Sequence, residues 1–178
     1  MAPMFKKITS EQEILSRLNQ RKAEIKNLDK LPMLDKFYLS FLSKYDDIEI
    51  TPDIDIFGYE SALKENNYLD ANHPDISKLL WIIGGTGQGD GWFMDKNTGC
   101  ILFYDHDQGE YSNIEQFVNF DISFLEFLQM SLLYQDLENL LNRQETGTSE
   151  ISNFKNVINS IRFNLYDLYP FNYFQQSV

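Results

Sequence analysis

Two stretches of the chain carry residue types that could do chemistry. Asp105-His106-Asp107-Gln108-Gly109-Glu110 offers carboxylates and an imidazole, groups that bind metal or exchange protons near neutral pH. Read as an EF-hand loop from Asp105, it lacks the twelfth-position Glu, because Gln116 stands there; read from Asp95, that place holds His106. With two histidines, His73 and His106, and one cysteine, Cys100, a zinc site of standard composition cannot be assembled. The stretch is expected to be a solvated loop closing a strand, with no metal.

The second stretch, Gly84-Gly85-Thr86-Gly87-Gln88-Gly89-Asp90, has the glycines of a phosphate loop but not its chemistry. Such a loop needs a Lys to reach the phosphates and a helix to present its amides, whereas here Asp90 repels phosphate and a strand pattern follows. A dinucleotide fingerprint fails for the same reason. The glycines are expected to supply positive backbone angles in a hairpin. Cys100, between Gly99 and Ile101, reads as a small buried residue, and no Ser or Cys stands in a nucleophile context. No catalytic residue, no cofactor and no enzymatic activity are expected.

The elements that must position these stretches are legible in the spacing of apolar residues. Ser10-Glu11-Gln12-Glu13 forms a capping box, and Ile14, Leu18, Ile25 and Leu28 recur at helical spacing after it. A second helix is predicted from Pro32, with Met33, Leu34, Phe37, Tyr38, Phe41, Leu42 and Tyr45 on one stripe and Asp46 and Asp47 opposing its dipole at the end. The period then changes to two: Ile48 and Ile50, then Ile54 and Ile56 flanked by Asp53 and Asp55, predict strands with an acidic outer face. Three antiparallel strands are predicted between Leu79 and Tyr104, separated by the glycine-rich stretch and by Asp95-Lys96-Asn97-Thr98-Gly99. Ser123 and Glu126 cap a long helix reaching toward Leu141, which Thr146-Gly147-Thr148 breaks. Ile151, Phe154, Ile158, Ile161 and Leu165 predict a further helix, followed by an aromatic tail from Tyr166 to Phe174.

Bulk properties bound the function. At 178 residues the chain fits one domain with a core of its own, and 43% hydrophobic residues make it too apolar for a disordered chain. The longest apolar run, Leu79 to Ile83, is far short of the roughly 20 residues of a spanning helix, so no membrane segment is expected. Residues 1–9 lack the apolar region of a secretory signal, and a single cysteine suits a reducing compartment, so the expected location is the cytoplasm. Charge is uneven: residues 1–30 carry 7 Lys/Arg against 4 Asp/Glu, residues 31–141 carry 5 against 20, and the remainder 3 against 3. The acidic centre disfavours direct nucleic-acid binding and would speed encounter with a basic partner.

Read together, the elements resemble the SUKH superfamily, which includes yeast cell-wall-synthesis regulators and bacterial immunity proteins. The resemblance rests on Leu31-Pro32 before Phe41-Leu42, Trp81-Ile82-Ile83-Gly84 before a glycine-rich turn ending Gly89-Asp90, and Phe93-Met94-Asp95. It continues through the turn at Gly99, Phe103-Tyr104-Asp105-His106, and Phe124-Leu125-Glu126-Phe127-Leu128. It covers about residues 10–141 of a single domain spanning 1–178, with residues 144–178 as a C-terminal extension. The resemblance implies an α+β fold: a largely antiparallel central sheet flanked by N-terminal and C-terminal helices. Gly84, Gly89, Asp90, Asp95 and Gly99 match the family's turn positions.

The implied role is that of an immunity protein, neutralising a cognate basic toxin domain, a nuclease or deaminase, by occluding its active site. Asp53, Asp55, Asp90, Asp105, Asp107 and Glu110 are the expected partner-binding residues. Two alternatives are a regulatory protein-interaction scaffold and a small-molecule sensor with a pocket near Trp81, Trp92 and His106. Both monomer and homodimer remain open.

Overall fold

The computed structural model describes residues 5–143 and 147–171. Ser10 starts the first helix, α1 (Glu11–Ser16), its Oγ accepting from the Glu13 N–H at 3.3 Å. The helix ends at Ser16 instead of running to Leu28. The chain beyond it lies along the end of the next helix, where the Arg21 N–H donates to Lys44 O at 2.8 Å and the Ile25 N–H to Ser43 O at 2.9 Å. Those bonds replace intrahelical ones, and Ile25 and Leu28 stay half-exposed while Ile14 and Leu18 are buried. Helix α2 (Lys36–Lys44) begins later than Pro32 because Asp35 is its cap, accepting from the Tyr38 N–H at 2.9 Å. Met33, expected on the buried stripe, is 92% exposed.

The sheet is an antiparallel meander of six strands in chain order. They are β1 (Ile48–Thr51), β2 (Ile54–Ile56), β3 (Leu80–Gly85), β4 (Gly91–Asp95), β5 (Ile101–Tyr104) and β6 (Val118–Asn119). Between β2 and β3 stand two helices that the apolar spacing did not predict, α3 (Tyr59–Asn72) and α4 (Pro74–Leu79), the second taking Leu79 out of the expected strand. Helix α5 (Phe124–Asn142) carries the predicted capping box: Ser123 Oγ accepts from the Glu126 N–H at 3.2 Å and Glu126 Oε1 from the Ser123 N–H at 3.0 Å. Helices α6 (Thr148–Ile161) and α7 (Leu165–Leu168) follow; Thr146 lies outside the described residues. The architecture is α+β.

Alternate side chains of each strand enter opposite faces of the sheet, and both faces are covered. On one face Ile83, Trp92, Met94 and Phe103 join Phe127 and Leu128 of α5 in the main core, which runs from Phe5 to Tyr169. On the other, Leu80, Phe93, Leu102 and Tyr104 pack with Leu69 of α3, Ile76 of α4 and Phe117. Double coverage explains why β4 and β5 read as unbroken apolar runs. The described part of the C-terminal extension closes the main core: Tyr169 stacks on Tyr134 at 3.7 Å, and Phe154 meets Tyr134 edge-on at 5.0 Å. Tyr173 and Phe174 of the predicted aromatic tail lie outside the described residues.

Candidate functional site: an acidic rim at one end of the sheet

In a meander, alternate connections fall at the same end of the sheet. Here the β1–β2 turn, the β3–β4 turn and the segment leaving β5 are neighbours, and hydrogen bonds stitch them together. The Gly87 N–H donates to Pro52 O at 2.9 Å, and the Trp92 indole N–H, anchored in the core, donates to Asp53 O at 2.9 Å. The His106 N–H donates to Asp90 Oδ1 at 3.0 Å. Asp53, Asp90, Asp105 and Asp107, scattered in sequence, therefore share one rim. Tyr104 Oη donates to Gly109 O at 2.9 Å and fixes the loop that leads to the exposed Glu110.

Within the rim the carboxylates have different jobs. Asp90 is 7% exposed and faces inward, so it braces the rim and does not offer its charge to a partner as expected. Its Oδ1 lies 2.6 Å from His106 Nδ1 and its Oδ2 accepts from Thr86 Oγ1 at 2.9 Å. Burial opposes its ionisation, yet the hydrogen bonds from His106 and Thr86 prevail and hold the carboxyl below its ordinary value. The same bond to Asp90 holds the His106 imidazole above its ordinary value, with further help from the charges of Asp90, Asp107 and Asp105. Asp105 is exposed and caps a short 3-10 turn, its Oδ1 accepting from the Asp107 N–H at 2.9 Å. The Asp107 side chain is 83% exposed and lies 3.3 Å from His106 Nε2.

Asp55 lies apart from this group, in β2, directly opposite Glu49 of β1. Burial pushes its carboxyl above the ordinary range, and Asp47 and Glu49 add to the rise. Glu138 of α5 is raised in the same way, by burial and then by Asp53 and Glu49. Glu49 and Glu138 extend the candidate site beyond the residues expected. The alternation Ile48-Glu49-Ile50 placed Glu49 outward, but nothing in sequence brings Glu138 to the β1 edge. Nearby carboxylates do find partners: Arg21 pairs with Asp46 at 2.9 Å and Glu60 at 2.6 Å, while Asp47 accepts from the Gly58 N–H and, at 2.7 Å, from Ser61 Oγ.

The turn residues divide likewise. Gly89 and Gly99 have φ of +102° and +75°, the left-handed region glycine tolerates. Asp95 ends β4 and its Oδ1 accepts from Asn97 and Thr98 at 2.7 and 2.9 Å, shaping the β4–β5 turn. Gly84 is not a turn residue: it lies within β3 at a register shift, where a Cβ would stand 2.2 Å from Asp55 O. Glycine is required there by the close approach of β2. Cys100, expected to be buried, is half-exposed because it ends the turn ahead of β5, with its Sγ 3.7 Å from Asp121 Oδ1.

Donor atoms of Asp90, Asp105 and His106 lie within 4.8 Å of one another, a spacing a cation could bridge. Asp90 already engages His106 and Thr86, so the arrangement is that of a braced acid–imidazole pair. The notch it borders, with Gln88, Phe103, Pro170 and Phe171 on its walls, measures 120 Å³. That is below the roughly 300 Å³ at which small-molecule sites begin. The expected grouping of Trp81, Trp92 and His106 around one pocket is not formed: Trp92 is fully buried, and Trp81 and His106 stand at opposite ends of the sheet. No described helix is long and apolar enough to cross a membrane. No family model, curated protein or solved structure matches the chain.

Proposed function

We propose that this chain is an immunity protein of the SUKH type, which binds a cognate basic toxin domain, a nuclease or deaminase, through the acidic rim and covers its substrate groove. One observation carries the reading: the rim and the adjoining β1 edge are built from segments with no Lys or Arg of their own, and the arginines that reach in from outside, Arg17, Arg21 and Arg162, pair with Asp136, with Asp46 and Glu60, and with Asp121, not with Asp105, Asp107 or Glu49. Residues 45–63 hold six Asp or Glu and residues 97–142 hold eight, and neither segment contains a Lys or Arg. Glu49 directly opposite Asp55 is a like-charge pair, which costs stability where solubility alone would not require it. A groove that binds nucleic acid must present Lys and Arg, and a dense carboxylate surface is its electrostatic complement. Ile114 on the β5–β6 connection and Val118 in β6 are exposed and offer apolar contacts.

The test is to purify the tagged protein from its own host at moderate salt and identify what co-elutes by mass spectrometry. The expected result is a basic toxin domain whose affinity falls about tenfold or more in the Asp105→Lys/Asp107→Lys double variant and in Glu110→Lys. Recovery of no partner from cells shown to express the protein, or affinities unchanged in both variants, would overturn the proposal.

A further inference from the structure

A second cleft, of 360 Å³, opens at the far end of the sheet between the segment around Leu31 and Pro32, helix α3 and the β4–β5 turn. It differs in character from the rim. Lys96, half-buried, lines it, with its Nζ 5.9 Å from the Trp81 ring centroid and donating to Ser77 O at 2.5 Å at the end of α4. An ammonium has three N–H donors. Ser77 takes one, and among the described residues the other two have no hydrogen-bond partner. Burial holds Lys96 below the ordinary lysine value although Asp70 lies near enough to oppose the shift. The Asp70 carboxylate itself accepts from Ser77 Oγ at 3.1 Å.

The lining is locally cationic, with Lys30 and Lys96 against Asp70, in a chain of net charge −12. Asn66 is fully occupied by backbone groups, whereas the exposed Asn67 leaves an amide at the mouth. Leu31, Pro32 and Leu63 supply apolar wall. The volume falls within the range of small-molecule sites, about 300–1,000 Å³. We propose that this cleft binds a small organic anion, with its carboxylate or phosphate on Lys96 and Lys30 and its apolar part against Leu31, Pro32 and Leu63. An incoming anion satisfies the free ammonium donors and offsets the cost of burying the charge. The site is independent of the rim and of the toxin-binding proposal.

The chain has two tryptophans, Trp81 beside the cleft and Trp92 in the core, so two indole signals report on binding in a ¹H–¹⁵N spectrum of the full chain. Titration with benzoate, and separately with phenyl phosphate, is expected to move the Trp81 signal saturably and leave Trp92 in place. A response to one probe and not the other assigns the class of anion. Lys96→Gln is expected to weaken binding about tenfold or more. Since Lys96 also holds the end of α4, Leu63→Phe provides a second variant that fills the cleft from its wall and should abolish the response. No saturable shift with either probe up to about 10 mM, or binding unchanged in both variants, would overturn the proposal.

Discussion

Asn66 serves Ile82 as a neighbouring strand would. Its Oδ1 accepts from the Ile82 N–H at 2.9 Å and its Nδ2 donates to Ile82 O at 2.9 Å, while Nδ2 also donates to Ala62 O at 2.8 Å. Strand β2 pairs with β3 through Asp55 and Ile56 against Gly85 and Gly84, and the Phe57 N–H just beyond it donates to Ile83 O at 2.9 Å, so the edge at Ile82 is left to α3. Asn66→Leu fits the space but strands both backbone groups of Ile82. A loss of about 3 kcal/mol in the free energy of unfolding by urea is expected, far above that for Asn67→Ala on the exposed face. Equal costs for the two would refute the role of the amide.

The His106–Asp90 pair sets a pH window. The folded-state value of His106 is raised, so its contribution is complete below the unfolded value and fades as pH rises through the folded value. The folded-state value of Asp90 is lowered, so its contribution is present above the unfolded value and fades as pH falls through the folded one. Unfolding midpoints are therefore expected to decline as pH rises above the ordinary histidine value of about 6.5, and again in acid. His106→Gln should flatten the alkaline limb, and an unchanged slope there would remove the pair from the account.

Gly84→Ala separates a turn glycine from a packing glycine. The added methyl would meet Asp55 O at 2.2 Å, backbone that cannot rotate away, so β2 and β3 must part. A cost of about 3 kcal/mol is expected by thermal or urea unfolding. Gly109→Ala meets nothing within 4 Å and suffers only its φ of +82°, for about 1 kcal/mol. Comparable losses would show that β2 yields to the added methyl at little cost.

What sequence made legible follows from locality. Strands β1 to β5 and the α5 cap are written in adjacent residues, such as the runs around Trp92 and Phe103, and Ser123 with Glu126, whereas the two-residue β6 (Val118–Asn119) was not foreseen. Helix α3 was invisible because it buries only Ala62, Asn66 and Leu69, too few apolar residues to form a stripe, and because Gly58 has no side chain to cap it. Its start is held instead by Asp47, eleven residues back, which accepts from the Gly58 N–H and from Ser61 Oγ. The helix expected through Leu28 failed for the opposite reason, since a good local pattern lost to backbone bonds with Lys44 and Ser43. Of the site, the abundance of carboxylates was plain, but which ones face solvent depended on pairings such as Asp90 with His106 that only the folded chain creates.

Glu49 and Asp55 put the toxin-binding proposal and stability in direct opposition. Burial and the facing charges raise Asp55, so the native state resists its ionisation; the penalty is absent below the unfolded value and complete above the folded one. Asp55→Asn removes that penalty, and a gain of about 0.2–1 kcal/mol is expected near neutral pH, shrinking in acid and at high salt, where the charges are neutralised or screened. Glu49→Gln should give a smaller gain, because it relieves the repulsion but not the burial of Asp55, and the double variant less than the sum, because both changes relieve that one repulsion. If this edge contacts a basic partner, each stabilised variant should also bind that partner more weakly. Full additivity in the cycle would place the two carboxylates in separate environments, and unchanged affinity would confine the partner to the rim around Asp105 and Asp107.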